Sequence, residues 1–389
     1  MRQPLRAGLV TLAVVVLHAT PVRALPRFAL RDGVACSTCH VNPSGGGMRN
    51  RYARYVFEPT RLAVGVPGPA ALLRPLDVDI GDTLSFGADG RTIYYDQSVP
   101  GSDGIGSFFQ MQADLYVSAE LVEGLTLYFD QGSYGSFEAI AMYEHGLGAP
   151  GLSAYVKAGR FMPTFGLRLE NHNTFTRQDI GFGPRDKDAG IEIGAYLGPV
   201  LVQAAVLDGA SEDRQFDENR KKAFLARAEL IGRVGALRLM FGGSAYANQT
   251  GARTEVQGTV VDSRSDHLRT GVHWGLGLGR FAYLGEAAVV KVDPSQGNAQ
   301  EAKQFSFQSY QELDVRLVRG LELNFNYEFR EPDIDLESGR INRFAGGVEL
   351  YPLPYLELKV LVRHAFGSGP AVAEQDGVDE VIGMAHLFF

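Results

Sequence analysis

The chain has 389 residues, a formal net charge of −8, and 47 Gly, 23 Phe and 16 Tyr against a single Trp. That acidic balance leaves no basic patch and excludes a nucleic-acid-binding protein. The glycine and aromatic content does not suit a helical soluble domain.

Residues 1–24 read as a secretory signal peptide. Arg2 and Arg6 supply a positive start, and Ala7 to Leu17 form an apolar run too short to span a bilayer. Val22-Arg23-Ala24 places small residues at the −3 and −1 positions of a cleavage site, so the mature chain is expected to begin at Leu25. No later stretch offers about 18 uninterrupted apolar residues, so no helical membrane span is expected.

Residues 25–75 differ from everything that follows. Cys36-Ser37-Thr38-Cys39-His40 has the spacing by which two thiols close thioether bonds to the vinyl groups of one c-type haem. His40, directly after the second thiol, is the candidate proximal iron ligand. These are the only two cysteines of the chain. A zinc half-site, a thioredoxin-type redox pair and a disulfide across the i, i+3 spacing are the competing readings. Zinc wants four ligands and no second Cys/His cluster follows, while a redox pair expects a βαβ context. Met48, eight residues past His40, is a candidate distal ligand, with His145, His172, His267, His273, His364 and His386 as alternatives. Arg49, Arg51 and Arg54 are candidate partners for haem propionates. A short helix is expected from about Asn50 to Phe57, with Tyr52, Tyr55 and Val56 near one face, and 64–75 reads as a linker. Some fifty residues make little independent core, so this segment must lean on something larger.

From about Leu76 the hydrophobic period becomes two. Leu321, Leu323, Phe325, Tyr327 and Phe329 alternate with Glu322, Asn324, Asn326, Glu328 and Arg330, and Leu358, Val360 and Val362 alternate with Glu357, Lys359 and Arg363. Such alternation marks strands with one apolar and one polar face. Short turns (Glu123-Gly124, Gly198-Pro199, Gly232 to Gly235, Arg319-Gly320) alternate with longer polar stretches (164–187, 209–220, 250–265, 293–303, 367–377). His172, Glu170 and Asp179 in the first of these are candidate ligands for a metal ion near the mouth, but such loop clusters are mostly solvated and they are not taken as a site. The pattern predicts an all-β, transmembrane antiparallel β-barrel over 76–389 of about 16 strands, with 14 as the lower count. A soluble β-sandwich is the competing architecture. The terminal Phe389, on one face with Leu387, Ala385 and Val381, resembles an outer-membrane assembly signal. A barrel of this size encloses a lumen, and the haem segment can sit inside it as a plug.

Signal peptide, Cys36-Ser37-Thr38-Cys39-His40 and barrel in this order resemble the fused outer-membrane monohaem cytochrome–porins best known from iron-oxidising bacteria. The resemblance carries Cys36, Cys39 and His40 over as haem attachment and proximal ligand. The stretch Asn42 to Asn50 departs from the Pro-, Asn- and Phe/Gly-containing stretch expected in the iron-oxidising members. What the resemblance implies is one covalent haem c that moves single electrons between a periplasmic cytochrome or other redox carrier and an extracellular donor or acceptor, iron among the candidates. The barrel would lie in outer-membrane lipid with both termini periplasmic, as an electron carrier rather than a turnover enzyme. A diffusion porin with a structural haem segment is the alternative, and a haem sensor or peroxidase-like protein a third reading.

Overall fold

The computed structural model describes residues 26–32, 36–64, 74–133, 137–210, 217, 219–256, 259–294, 303–336, 339–369, 372 and 375–389. The expected signal peptide and most of the expected linker lie outside the described residues.

The alternating stretches form one closed antiparallel barrel. A two-residue strand β1 (Asp79–Ile80) pairs with the start of β2 (Leu84–Ser98). Then follow β3 (Ile105–Val122), β4 (Leu125–Gly132), β5 (Phe137–Gly146), β6 (Leu152–Phe161), β7 (Asp188–Leu197), β8 (Val200–Leu207) and β9 (Ala223–Val234). The second half is β10 (Leu237–Val256), β11 (Thr259–Leu278), β12 (Phe281–Pro294), β13 (Gln304–Val318), β14 (Leu321–Glu331), β15 (Arg340–Leu353), β16 (Leu356–Ser368) and β17 (Val378–Phe388). From β2 to β17 each strand pairs with its sequence neighbours, and β17 returns to β2 in a register from Asp379↔Ser98 to Phe388↔Asp89. The 17-stranded sheet is thus a ring of 16 strands with β1 appended, and the ring leaves no free sheet edge.

The burial pattern is inside out. In β14, Phe325 is 48 % exposed while its neighbour Asn324 is 1 % exposed, and Glu322 and Glu328 are buried like Asn324. In β7, Ile191 and Ile193 face outward around a buried Glu192. Apolar side chains therefore face out and polar ones face the lumen, as a barrel solvated by lipid requires. No helix among the described residues is long and apolar enough to cross a membrane.

Connections alternate in length, so one end of the barrel carries short turns together with the start of β2 and the end of β17. Two readings of connections shift: the short turn at Gly232 to Gly235 narrows to Gly235 and Ala236 because β9 runs to Val234, and within 250–265 β10 and β11 continue the ladder to Val256↔Thr259. Beyond an apolar belt neither face of a hairpin has to be apolar, so the period-two signal fades although the pairing continues.

Two insertions fill the lumen. The first is the N-terminal segment, with helices α1 (Pro26–Asp32) and α2 (Cys36–Cys39) followed by a π-helical stretch over Ala53–Leu62. Leu30 packs with Leu167, Met240 and Leu284, while Phe28 packs with Phe57 and Tyr351. Arg27 reaches Glu349 at 2.9 Å and Asp314 at 3.4 Å. Met240, Leu284, Asp314, Glu349 and Tyr351 come from β10, β12, β13 and β15 and Leu167 from the connection 162–187, so the barrel and its insertion supply the core that the segment lacks. The expected helix is longer than the sequence indicated, and the face shared by Tyr52 and Val56 is the exposed one, while Ala53, Arg54, Phe57, Glu58 and Leu62 are buried. A polar lumen accepts Arg54 and Glu58, which a hydrophobic core would not. The wide turn also accommodates Pro59, and Ala63 N donates to Glu58 O five residues back at 2.9 Å.

The second insertion is the long connection 162–187 between β6 and β7, which folds inward. Leu167 N donates to Glu286 at 3.0 Å, Phe175 N to Glu328 at 2.8 Å, and Arg177 pairs with Glu286.

Candidate functional site in the barrel lumen

The Cys36–Cys39 turn is held by backbone geometry and one asparagine. His40 N donates to Cys36 O at 2.8 Å, and Asn50 N donates to Cys39 O at 2.9 Å. The Asn50 amide donates to the carbonyls of Ser37 (3.1 Å) and Thr38 (2.9 Å), and its oxygen accepts from Ala53 N at 3.1 Å. Between His40 and Asn50 the chain reverses through Gly45, Gly46 and Gly47, whose φ values are +81°, +73° and +62°. This left-handed run needs glycine, and a Cβ at Gly46 would come within 2.8 Å of Arg168 Nε.

The reversal is pinned to the barrel wall. Lys157 and Glu192 form an ion pair of 2.9 Å, Ser44 Oγ donates to Glu192 at 3.2 Å, and Lys157 Nζ donates to Ser44 Oγ at 3.1 Å and to Asn42 Oδ1 at 3.4 Å. Thr164 of the inward connection donates to Ser44 Oγ at 2.8 Å. One buried network therefore joins β6, β7, the inward connection and the turn after His40.

Cys36, Cys39 and His40 line an internal cavity of about 290 Å³, shared with Arg49, Arg168, Glu170, His172 and His386. Its size is near the lower end of small-molecule sites, roughly 300–1,000 Å³. Both cysteines are free thiols, Cys36 half-buried and Cys39 buried. Burial pushes each thiol up to about 12, with Glu229 adding to the effect at Cys36 and Cys36 adding to it at Cys39. Reactive redox cysteines are displaced in the opposite direction, which counts against a thioredoxin-type pair. Burial, with Arg49 and Arg168 nearby, pulls the His40 imidazole down to about 3, so it is a neutral ring with a lone pair to offer. His40 Nδ1 is buried without a hydrogen-bond partner, and so is Arg168 Nη1. Two neutral thiols, a neutral buried imidazole and an unpaired guanidinium nitrogen around one cavity fit a covalently held porphyrin, whose propionates are anionic. They do not fit a zinc centre: among the described residues the His/Cys/Asp/Glu group with metal-binding geometry is Glu170, Glu357 and His386, which holds no cysteine.

Other sequence candidates fall differently. Met48 does not line the cavity. His40 pairs with Arg49 across an antiparallel bridge and Val41 N donates to Met48 O at 3.1 Å, so Met48 projects from the other face of the reversal. It packs with Tyr116, Tyr128 and Ile140 instead. Of the three arginines, only Arg49 lines the cavity; Arg54 pairs with Asp79 at 2.7 Å, and Arg51 with Asp79 at 2.9 Å and Asp82 at 3.1 Å. His172 and His386 reach the cavity, whereas His273 is held by Glu229 at 2.9 Å and His364 by Asp379 at 2.6 Å. Glu170 is no solvated loop group, since it turns inward toward Arg27 and Lys359 (3.5 Å each), while Asp179 pairs with Arg330 at 2.9 Å. Sequence reading missed Arg168, Glu192 and Asp89. No spacing marks them: Glu192 and Asp89 are wall residues and Arg168 belongs to the inward connection, and only the folded barrel brings them to the N-terminal segment.

The architecture is that of the outer-membrane porins. The fold is similar to the outer-membrane protein OmpT of Vibrio cholerae, with a TM-score of 0.57 at 12 % identity over 80 % of this chain and all (100 %) of that one. It is similar also to OprB of Pseudomonas putida (TM-score 0.56, 10 % identity, 79 % of this chain, 94 % of that one). An anion-selective porin from Comamonas acidovorans gives 0.52 at 11 % identity over 79 % of this chain and 99 % of that one. At such identities the likeness concerns the fold. No protein-family model matches the sequence, and no curated protein does.

Proposed function

We propose that the protein is an outer-membrane electron carrier holding one c-type haem in its lumen, exchanging single electrons between a periplasmic carrier and an extracellular donor or acceptor. The observation that carries this reading is that Cys36, Cys39 and His40 line a cavity inside the barrel rather than hanging beside it. Cys36 and Cys39 would hold the porphyrin covalently, His40 would take its iron, and Arg168 and Arg49 would face its propionates. Such a group supplies one-electron Fe(III)/Fe(II) chemistry, at a potential set by burial and surrounding charge. The chain's own residues supply the setting: the Ser44–Glu192–Lys157 network fixes the turn, and Thr164 to His172 of the inward connection line the cavity. Short turns of such barrels face the periplasm, which would put both termini there and the long connections outside.

A second reading, a diffusion porin, is favoured by the similar structure named as an anion-selective porin. Against it stands the filled lumen, where inward-facing Lys157, Glu192, Glu286 and Glu349 have no exposed surface. Exposing intact cells to a membrane-impermeant reductant tests the first reading: bleaching of an oxidised haem band supports it, and an inaccessible haem opposes it.

A further inference from the structure

We propose that Glu170, Glu357 and His386 form a binding site for one divalent first-row transition-metal ion on the lumen wall. The three come from the inward connection, β16 and β17, and offer one ligand atom each, all within 4.8 Å of one another. His386 Nδ1 lies 2.8 Å from Glu357 Oε2 and 3.9 Å from Glu170 Oε1. Its other nitrogen, Nε2, lies 2.6 Å from Asp89 Oδ1.

The imidazole therefore has a carboxylate at both nitrogens, and a neutral ring has one N–H to give. With that hydrogen on Nε2, donated to Asp89, the Nδ1 lone pair points at two carboxylates, an arrangement that a cation between them resolves. A buried imidazole whose far N–H is held by a carboxylate is the usual outer partner of a metal-bound histidine. A second observation points the same way. Glu357 is 2 % exposed, and its Oε1 has no hydrogen-bond partner. Glu170 uses Oε2 for Arg27 and Lys359, at 3.5 Å each, and leaves Oε1 buried and unpartnered. Each of the two carboxylates that flank the oriented imidazole thus keeps one buried oxygen without a partner.

One imidazole and two carboxylates select Mn(II), Fe(II), Co(II) or Zn(II) over Mg(II) and Ca(II), which prefer oxygen alone. All three residues and Asp89 line the cavity, which gives an ion its path in. These four side chains make up the site with or without a porphyrin on Cys36 and Cys39.

The test is Mn(II) titration of the chelator-treated, detergent-solubilised full chain, with free Mn(II) read by electron paramagnetic resonance. One ion per chain should bind more tightly than any remaining sites, be displaced by Zn(II) and resist Mg(II). Glu357→Gln should abolish that site, and Asp89→Asn should weaken it about 10–100-fold. Heat-dependent migration on gels verifies the barrel of each variant. Should Glu357→Gln not assemble, Glu170→Gln, outside the strands, carries the same expectation. Wild-type protein binding no more Mn(II) than an assembled variant would overturn the proposal, leaving His386 as a charged bridge between Asp89 and Glu357.

Discussion

Lys157 of β6 and Glu192 of β7 form an ion pair of 2.9 Å inside the barrel, with both side chains fully withdrawn from solvent. The pair is where the wall grips the N-terminal segment, because Ser44 and Asn42 complete its hydrogen bonding. Removing one member leaves the other charged and unpaired, which costs about 3–5 kcal/mol at buried pairs. Lys157→Met is accordingly expected to lower the stability of the detergent-folded protein by that order in denaturant titration. Because the network reaches the turn after His40, the same variant should make the 42–44 region open to protease.

Met48 is expected to matter for packing alone. Met48→Ala removes a fully buried side chain from the cluster with Tyr116 and Tyr128 and should cost about 2–5 kcal/mol. Met48→Leu should cost less than about 1.5 kcal/mol. Neither substitution should shift the bands of the reduced haem, measured by visible absorption. A shift with Met48→Leu would make the thioether an iron ligand and contradict the orientation described above.

Stability should fall as pH rises through the range of Glu58. Burial pushes this carboxyl from 4.5 up to about 7, against the opposing pull of Arg49 and Arg54. Between those values the folded state holds a proton that the unfolded state has released, so folding is favoured below the window and progressively disfavoured across it. The loss is on the order of 3 kcal/mol, since each tenfold change in proton affinity between the two states is worth about 1.4 kcal/mol. Glu58→Gln should flatten this slope in unfolding experiments at pH 4.5 and pH 7.5.

The lumen should conduct poorly. Reconstituted wild-type barrels are expected to show little ion conductance in planar bilayers, and excision of residues 26–64 should raise it. High wild-type conductance would favour the diffusion-porin reading.

The barrel was legible in the sequence because each strand declares one apolar face. The alternation around Phe325 and Asn324 appears in the structure as outward and inward positions, and the strand count matches the 16 favoured. The far ends of β10 and β11 were not legible, since 250–265 carries no sustained alternation of apolar and polar residues and reads as a loop. Cys36, Cys39 and His40 could be singled out because their chemistry is local, one helical turn of contiguous residues. The anchor at Lys157 and Glu192, the burial of Arg54 and Glu58, and the convergence of Glu170 with His386 could not. Lys157 faces Glu192 across the β6–β7 register, while Arg54, Glu58 and Glu170 are placed by segments folded into the lumen, and local spacing shows neither.

The central claim is that a porphyrin is covalently bound at Cys36 and Cys39 inside this barrel. Its most direct test is the pyridine haemochrome spectrum of protein purified from outer membranes and denatured, with haem quantified per chain. The account predicts one haem per chain that survives denaturation and disappears in Cys36→Ser/Cys39→Ser. Wild-type protein without covalent haem would contradict it.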